Sequence, residues 1–152
     1  MNYKELITAD DLLEFMKLFN YFHDSCLKEL KYVSGSYVNL DLTLSAFDSI
    51  RSINAIFHSQ NHKLPAIEIV FAKVERLNLV PRLENYDSII LGAHLSLVED
   101  SFYWAEFDDF DYQNADHFNG TWIKCKKIKW RKLDNSASNT VLKTLQSKHS
   151  QN

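Results

Sequence analysis

The spacing of apolar residues changes at Ser25, and this change constrains the fold more than any other feature of the chain. Before Ser25, large apolar side chains recur every three or four residues, which is the period of a helix with one buried face. They are Leu12, Phe15, Met16, Phe19 and Phe22. Thr8 precedes them as a predicted N-cap, with Asp10 and Asp11 in the first turn, where the helix dipole favours acids. An N-terminal helix that packs on a larger element is therefore expected.

After Ser25 apolar and polar residues alternate, as they do in strands that bury one face. The segments Cys26–Val33 and Tyr37–Leu44, joined by a turn at Gly35, are predicted to form a β-hairpin in which Gly35 has a positive φ. Glu99-Asp100 is predicted to turn a second hairpin. The other predicted strands are Ser52–His58, Ala66–Ala72, Ser88–Val98, Phe102–Phe107 and Trp122–Leu133. A phase change within the last strand indicates a bulge.

The fold class that follows is α+β: an N-terminal helix packed on a mostly antiparallel, strongly curved sheet of about six or seven strands. The chain has 152 residues, with ten Phe, seven Tyr, three Trp and only three Gly, which favours one β-rich core. Residues 1–133 are predicted to form a single domain, and residues 134–152, which are polar, a flexible tail.

The N-terminus has no basic region followed by an apolar run, and no apolar stretch is long enough to span a bilayer. We therefore expect a cytoplasmic protein that is neither secreted nor inserted in a membrane. Cys26 and Cys125 lie far apart in the sequence. Two reduced and largely buried thiols are the expectation, and one disulfide is the alternative.

Charge is distributed unevenly along the chain. Residues 1–116 carry 9 basic and 19 acidic groups, whereas residues 117–152 carry 8 basic and 1 acidic group. Several of the acids lie in one predicted loop between strands, at Glu106, Asp108, Asp109, Asp111 and Asp116. Their spacing does not match a calcium-binding loop, so no metal is expected there. A solvated loop is the simplest interpretation. The four aspartates are the candidate contact residues for a protein partner.

The basic residues cluster in the last predicted strand, where they are interleaved with tryptophans. Cations with aromatic neighbours are typical of a surface that binds nucleic acid. The candidate residues are Lys124, Lys126, Lys127, Trp130 and Arg131, with Trp122 at the start of the strand. Lysines also protect an exposed sheet edge against pairing with other chains. Edge protection is the favoured interpretation.

Catalytic motifs are absent from the sequence. The chain has no GxSxG, P-loop, GxGxxG, HExxH or Cys-His zinc spacing. Three histidines, His23 beside Asp24, His58 and His94, are the candidates for acid–base chemistry if a pocket exists. A non-catalytic role without a cofactor is favoured.

The junction between the predicted helix and the first strand reads Phe22-His23-Asp24-Ser25-Cys26-Leu27-Lys28-Glu29-Leu30, and Gly120-Thr121-Trp122-Ile123 precedes Trp130-Arg131. These motifs resemble a family of small uncharacterised bacterial proteins, and the resemblance spans about residues 20–132. Similar openings occur in small domains of bacterial toxin–immunity loci. The resemblance implies a domain of unknown function with a role in protein binding, and it implies no catalytic residues. The lysines after Trp122 depart from the family's more apolar pattern.

Three functions are therefore considered. The favoured one is a bacterial protein-binding domain, immunity-like or regulatory, that uses the acidic loop or an exposed sheet face. One alternative is a small-ligand-binding protein or enzyme with a pocket in the curved sheet. The other is nucleic-acid binding through residues 122–132.

Overall fold

The computed structural model describes residues 2–47 and 50–134. This part of the chain contains one α-helix, nine strands and two 3₁₀ turns. In chain order they are β1 Lys4–Leu6, α1 Ala9–Leu18, a 3₁₀ turn Asn20–Phe22, β2 Ser25–Val33, β3 Tyr37–Val38, β4 Leu44–Ser45, β5 Ser52–Ser59, β6 Ala66–Asn78, β7 His94–Val98, β8 Ser101–Ala105, a 3₁₀ turn Tyr112–His117 and β9 Trp122–Lys132. The predicted tail lies outside the described residues after Asp134.

Helix α1 begins where its capping residues predict. The Thr8 hydroxyl accepts a hydrogen bond from the Asp11 N–H at 3.2 Å, and the Asp11 carboxylate accepts one from the Thr8 N–H at 2.8 Å. This reciprocal pair satisfies N–H groups that have no partner within the helix. The predicted apolar stripe from Leu12 to Phe22 is buried throughout. The sequence-based prediction of this helix and of its buried face is confirmed.

Aromatic rings fill the space between the helix and the sheet. Phe15 packs against Trp130 with ring centres 5.1 Å apart. Phe22 contacts Phe57 at 5.0 Å and Trp104 at 5.8 Å. Edge-to-face and tilted pairs of this kind contribute beyond the apolar area that they bury. One face of the sheet and the helix thus share a single core, and the opposite face of the sheet carries no helix in the described part of the chain.

Seven strands form one antiparallel sheet in the order β2-β5-β6-β9-β8-β7, with β1 paired to β9 beyond the end of β8. The α+β class and the antiparallel strand count are confirmed. The sheet is open. A bridge from the Ile90 N–H to the Ser25 carbonyl, at 2.7 Å, joins β2 to the segment that leads into β7. The two edges therefore approach each other at this end.

The edge-protection interpretation of the basic strand is wrong. Strand β9 lies inside the sheet, with β6 on one side and β8 and β1 on the other. Its lysines therefore project from a face of the sheet and not from an edge. The edge strands are β2, β7 and the short β1, and none of them holds the basic cluster.

The predicted first hairpin is also wrong. Strand β2 pairs with β5 and not with the segment after Gly35. The segment Tyr37–Leu44 is not one strand, because it folds back on itself so that Tyr37–Val38 pairs with Leu44–Ser45. Gly35 does have the predicted positive φ of 78°. The turn at Gly35 begins a small separate hairpin of β3 and β4. This hairpin lies in the sequence between β2 and its partner β5.

The second hairpin forms as predicted, with Val98 paired to Ser101 and Glu99 at a positive φ of 56°. The first strand of this hairpin, β7, is shorter than predicted: it begins at His94, whereas the predicted strand begins at Ser88. The predicted bulge lies in the partner of β9: the register of β6 shifts around Glu75.

Within the described residues, no helix has the length and apolarity that a membrane crossing requires.

Candidate protein-binding surfaces

The acidic loop connects β8 to β9, as predicted, and its aspartates have different environments. Asp111 caps the 3₁₀ turn by accepting hydrogen bonds from the Gln113 N–H at 3.0 Å and the Asn114 side chain at 2.8 Å. Asp116 lies 3.7 Å from Arg76. In the described residues Asp108 and Asp109 are exposed and make no ion pair. Two of the four candidate carboxylates are thus available to a partner.

A second, smaller core fixes this loop to the sheet. Phe110 is buried and packs between Phe118 at 5.1 Å and Trp122 at 5.5 Å. His94 contacts the same ring at 5.2 Å. The loop therefore covers the end of the sheet face that faces away from the helix, and its carboxylates line the rim of this covered patch.

Three cations of the basic strand, Lys124, Lys126 and Arg131, form ion pairs with acidic residues of the same chain. Glu75 lies 3.2 Å from Lys124 and 3.0 Å from Lys126, and Asp100 lies 2.9 Å from Lys126. The hydrogen bond from Lys126 and its neighbour Lys124 lower the pKa of Glu75. The residue that forms the bulge in β6 is the acid that bridges these two lysines. The positive charge of this half of β9 is therefore largely compensated.

Arg131 is the third compensated cation. Its Nε donates a hydrogen bond to Glu68 at 2.6 Å. Glu68 also accepts hydrogen bonds from the Tyr3 hydroxyl and the Asn54 amide, both at 2.9 Å. Burial opposes the charge of Glu68, but these three donors outweigh it and lower the pKa of the carboxyl. The cluster lies on the sheet face opposite the helix.

The tryptophans of the basic strand face packed interiors. Trp130 belongs to the main core and Trp122 to the smaller one, and each is about 95% buried. Base stacking needs an exposed aromatic face. Lys127 is exposed, and no carboxylate pairs with it in the described part of the chain. The structure therefore brings together few of the groups that the nucleic-acid alternative requires.

The candidate histidines do not converge. His23 pairs with Asp24 at 3.0 Å on the surface after the first 3₁₀ turn. His94 contacts the Ser96 hydroxyl at 2.8 Å, and burial lowers its pKa although Asp111 opposes the shift. Burial and the charge of Lys28 lower the pKa of His58. Each lies on a different element of the sheet or its loops.

The thiols are free, as expected. Cys125 is fully buried, and this burial raises its pKa to about 12. Cys26 is half-buried on β2. No group of three or more His, Cys, Asp or Glu side chains in residues 2–47 and 50–134 has the arrangement of a metal site.

A groove of about 460 Å³ lies between the start of β2 and the loop that follows β6. Leu27, Ile90, Val80 and Leu83 supply much of its apolar lining. Glu106 lies at its inner wall, where the carboxylate accepts a hydrogen bond from the Thr121 N–H at 3.0 Å. Half of the residues that line the groove are polar or charged, so an occupant has to meet both apolar and polar groups. The polar ones are Arg82, Glu84, Tyr86, Ser88, Glu106 and Thr121.

Sequence reasoning missed the most exposed apolar surface among the described residues. Residues 34–47, which we call the apolar arm, project between β2 and β5. Six large apolar side chains of this arm are exposed, with Leu40 the most exposed of them. They are Tyr37, Val38, Leu40, Leu42, Leu44 and Phe47. The signal for the arm was present in the sequence as an alternating apolar pattern, and that pattern was interpreted as the buried face of a strand.

The tip of the arm is held by its own polar groups. The Asn39 N–H donates to the Thr43 carbonyl at 2.8 Å, and the Asn39 side chain donates to Ser45 at 2.9 Å. Asp41 accepts hydrogen bonds from the N–H and the hydroxyl of Thr43. Leu42 has a φ of 68°, a conformation that costs a side chain with a Cβ of order 1 kcal/mol. The tip is thus a structured turn that displays leucines.

Comparison of the chain with models of protein families, with curated proteins and with solved structures finds no match in any of the three. The resemblance to small bacterial proteins stays a prediction.

Proposed function

We propose that the chain is a non-catalytic protein-binding domain that contacts its partner through the apolar arm. One observation carries the proposal: Leu40 and Leu42 are 106% and 84% exposed at the tip of a turn that is organised by its own hydrogen bonds. Apolar patches that remain exposed on soluble proteins mark interaction sites. A structured tip also loses little conformational entropy on binding.

The charge pattern of the arm supports a protein partner. Asp41 is the only charged residue between Lys31 and Phe47. Interface centres are depleted in charged residues and enriched in aromatic and aliphatic side chains. A nucleic-acid surface would instead need unpaired cations.

The acidic loop stays a candidate for a second contact. In the described part of the chain Asp108 and Asp109 make no ion pair, whereas Asp111 caps a turn and Asp116 lies near Arg76. The first two are therefore the carboxylates that we propose for a basic partner. Charges at the rim of an interface affect the association rate and specificity more than the affinity. We propose that the chain itself is an immunity-like or regulatory domain of a bacterial cytoplasm.

The test uses tagged protein to capture partners from a lysate of the host, with and without nuclease. The captured proteins are compared among the wild type and two variants. Leu40→Asp places a charge at the tip of the arm, and Leu13→Asp does the same at an exposed leucine of α1. We expect one protein to be captured by the wild type and by Leu13→Asp but not by Leu40→Asp. Equal capture by Leu40→Asp would show that the arm is not the binding surface. Capture that nuclease abolishes would instead support the basic strand.

A further inference from the structure

Strand β2 has a free edge. One side of it pairs with β5 from Ser25 to Val33, and on the other side, in the described residues, a single bridge joins Ser25 to Ile90. The stretch from Glu29 to Val33 therefore presents unpaired backbone groups. Such an edge is a template for another strand.

The two apolar features described above lie at opposite ends of this strand. The apolar arm begins just after Val33, at the C-terminal end of β2. The groove contains Leu27 and Ile90, at its N-terminal end. About 20 Å of extended strand separates Leu27 from Val33. In the structure the arm therefore does not occupy the groove of its own chain.

We propose that a second copy of this chain pairs with the free edge of β2, antiparallel and around a twofold axis at Leu30. Antiparallel pairing of two β2 strands places the end of one beside the start of the other. Each arm then leaves β2 next to the partner's groove, and each groove receives one arm. This inference rests on the proposed function of the arm and names its partner.

The charges of β2 select the register. A twofold axis at Leu30 pairs Glu29 of each copy with Lys31 of the other, on the face away from the helix. An axis at Glu29 would place two glutamates opposite each other, and an axis at Lys31 would place two lysines opposite each other. Opposite charges in cross-strand pairs stabilise a sheet, and like charges destabilise it. Of these three registers, the one centred on Leu30 pairs opposite charges.

The ladder between the two strands is short. The register of β2 with β5 shifts between Leu27 and Glu29, so Lys28 forms a bulge, which limits regular pairing. The arms must therefore supply most of the buried area. Six large side chains on each arm present on the order of 600 Å² of apolar surface. Together with the ladder, this approaches the roughly 800 Å² per partner that a stable interface needs.

The groove has the chemistry to receive the arm. Half of its lining residues are aliphatic, and they include Leu79 and Leu83 of the segment after β6, which are exposed in the single chain. The leucines of the arm match the aliphatic half of this lining, and Arg82 is the cation that Asp41 of the arm can approach. Arg82 also lies 4.0 Å from Glu106 of its own chain. In a twofold dimer each copy places its arm in the groove of the other copy, so both arms and both grooves are covered.

Charge reversal on β2 tests the register by sedimentation velocity of the purified full chain. Glu29→Lys and Lys31→Glu each place like charges opposite each other, and we expect each to raise the dimer dissociation constant at least tenfold. The double variant exchanges the two charges and should dimerise like the wild type. Thermal melts confirm that all forms are folded. A wild type that is monomeric at every concentration, or single variants that dimerise normally, would overturn the proposal.

Arm and groove variants test the exchange. Leu40→Asp and Leu83→Asp should each give monomers, whereas Leu13→Asp, on α1, should leave the dimer intact. A mixture of Leu40→Asp with Leu83→Asp retains one unaltered arm and groove, and should give a heterodimer. If charge reversal on β2 dissociates the dimer but Leu40→Asp does not, the arm is not seated in the groove of the other copy. If the wild type is monomeric while Leu40→Asp still loses a captured partner, the self-association fails and the proposed function stands.

Discussion

The carboxylate of Glu68 accepts a hydrogen bond from Nε of Arg131 at 2.6 Å, on the sheet face opposite α1. The Glu68 side chain is only 11% exposed, so its charge depends on this partner. Lys129 and Arg131 also lie over the ring of Tyr3, at 4.5 Å and 4.8 Å. The N-terminal residues are thereby fixed to the outer face of β9.

Removing the cation from this pair should destabilise the fold. Arg131→Met leaves Glu68 charged and poorly solvated, and we expect the free energy of unfolding to fall by about 2–3 kcal/mol. Urea denaturation measures the change. Lys132→Met, at an exposed neighbour, is the control and should stay within about 0.5 kcal/mol of the wild type. A similar loss in both variants would show that the pair does not matter.

Stability should decrease as the pH falls below the ordinary pKa of histidine. Burial lowers the pKa of His94, so the unfolded chain binds a proton more readily than the folded one. The stabilisation is complete above about pH 6.5 and is lost progressively from there towards the lowered folded-state pKa. We expect His94→Gln to reduce the dependence of the melting temperature on pH between pH 7 and 5.5, and the lowered pKa of His58 to leave a residual dependence. A slope in His94→Gln equal to that of the wild type would contradict the assignment.

The aspartates of the acidic loop should differ in their effect on stability. Asp111→Ala removes the cap of the 3₁₀ turn and should cost about 1 kcal/mol, with faster hydrogen exchange at the Gln113 amide. Asp109 makes no hydrogen bond or ion pair with another described residue, so Asp109→Ala should change stability by less than about 0.5 kcal/mol. Equal destabilisation by both changes would show that the hydrogen bonds of Asp111 do not stabilise the turn.

Nucleic acid should not contact the tryptophans of β9. Trp122 and Trp130 are buried, and Lys124 and Arg131 already have acidic partners. We expect a single-stranded oligonucleotide to leave tryptophan fluorescence unchanged at low salt. Quenching that disappears with added salt, and that Lys127→Glu weakens, would support the nucleic-acid alternative.

The features predicted correctly from the sequence are those that depend on neighbouring residues. Thr8 and Asp11 lie three residues apart and fix the start of α1 without reference to the rest of the chain. Val98 and Ser101 are joined by a two-residue turn, so their pairing was predictable. In each case the two residues are three positions apart in the sequence.

The features that were missed depend on distant pairing. Alternation at Val38, Leu40, Leu42 and Leu44 indicates side chains on one face but not whether another layer covers that face. The central position of β9 follows from its pairing with β6, about fifty residues earlier, and nothing in the lysine pattern encodes it. The candidate site was missed for the same reason, because the arm is recognisable only once its strands are known to lie outside the main sheet.

Because Cys26 is partly exposed and Cys125 is buried, a spectroscopic label can be attached at a single cysteine of the natural chain. A cysteine whose pKa is about 12 and whose sulfur has no solvent contact does not react with maleimides in the folded state, so Cys125 stays unmodified. Cys26 is accessible and lies on the strand at the proposed twofold axis. Two nitroxides at Cys26 would lie about 25 Å apart in the antiparallel dimer. Native protein, without any engineered cysteine, can therefore report the arrangement of its own copies by electron paramagnetic resonance.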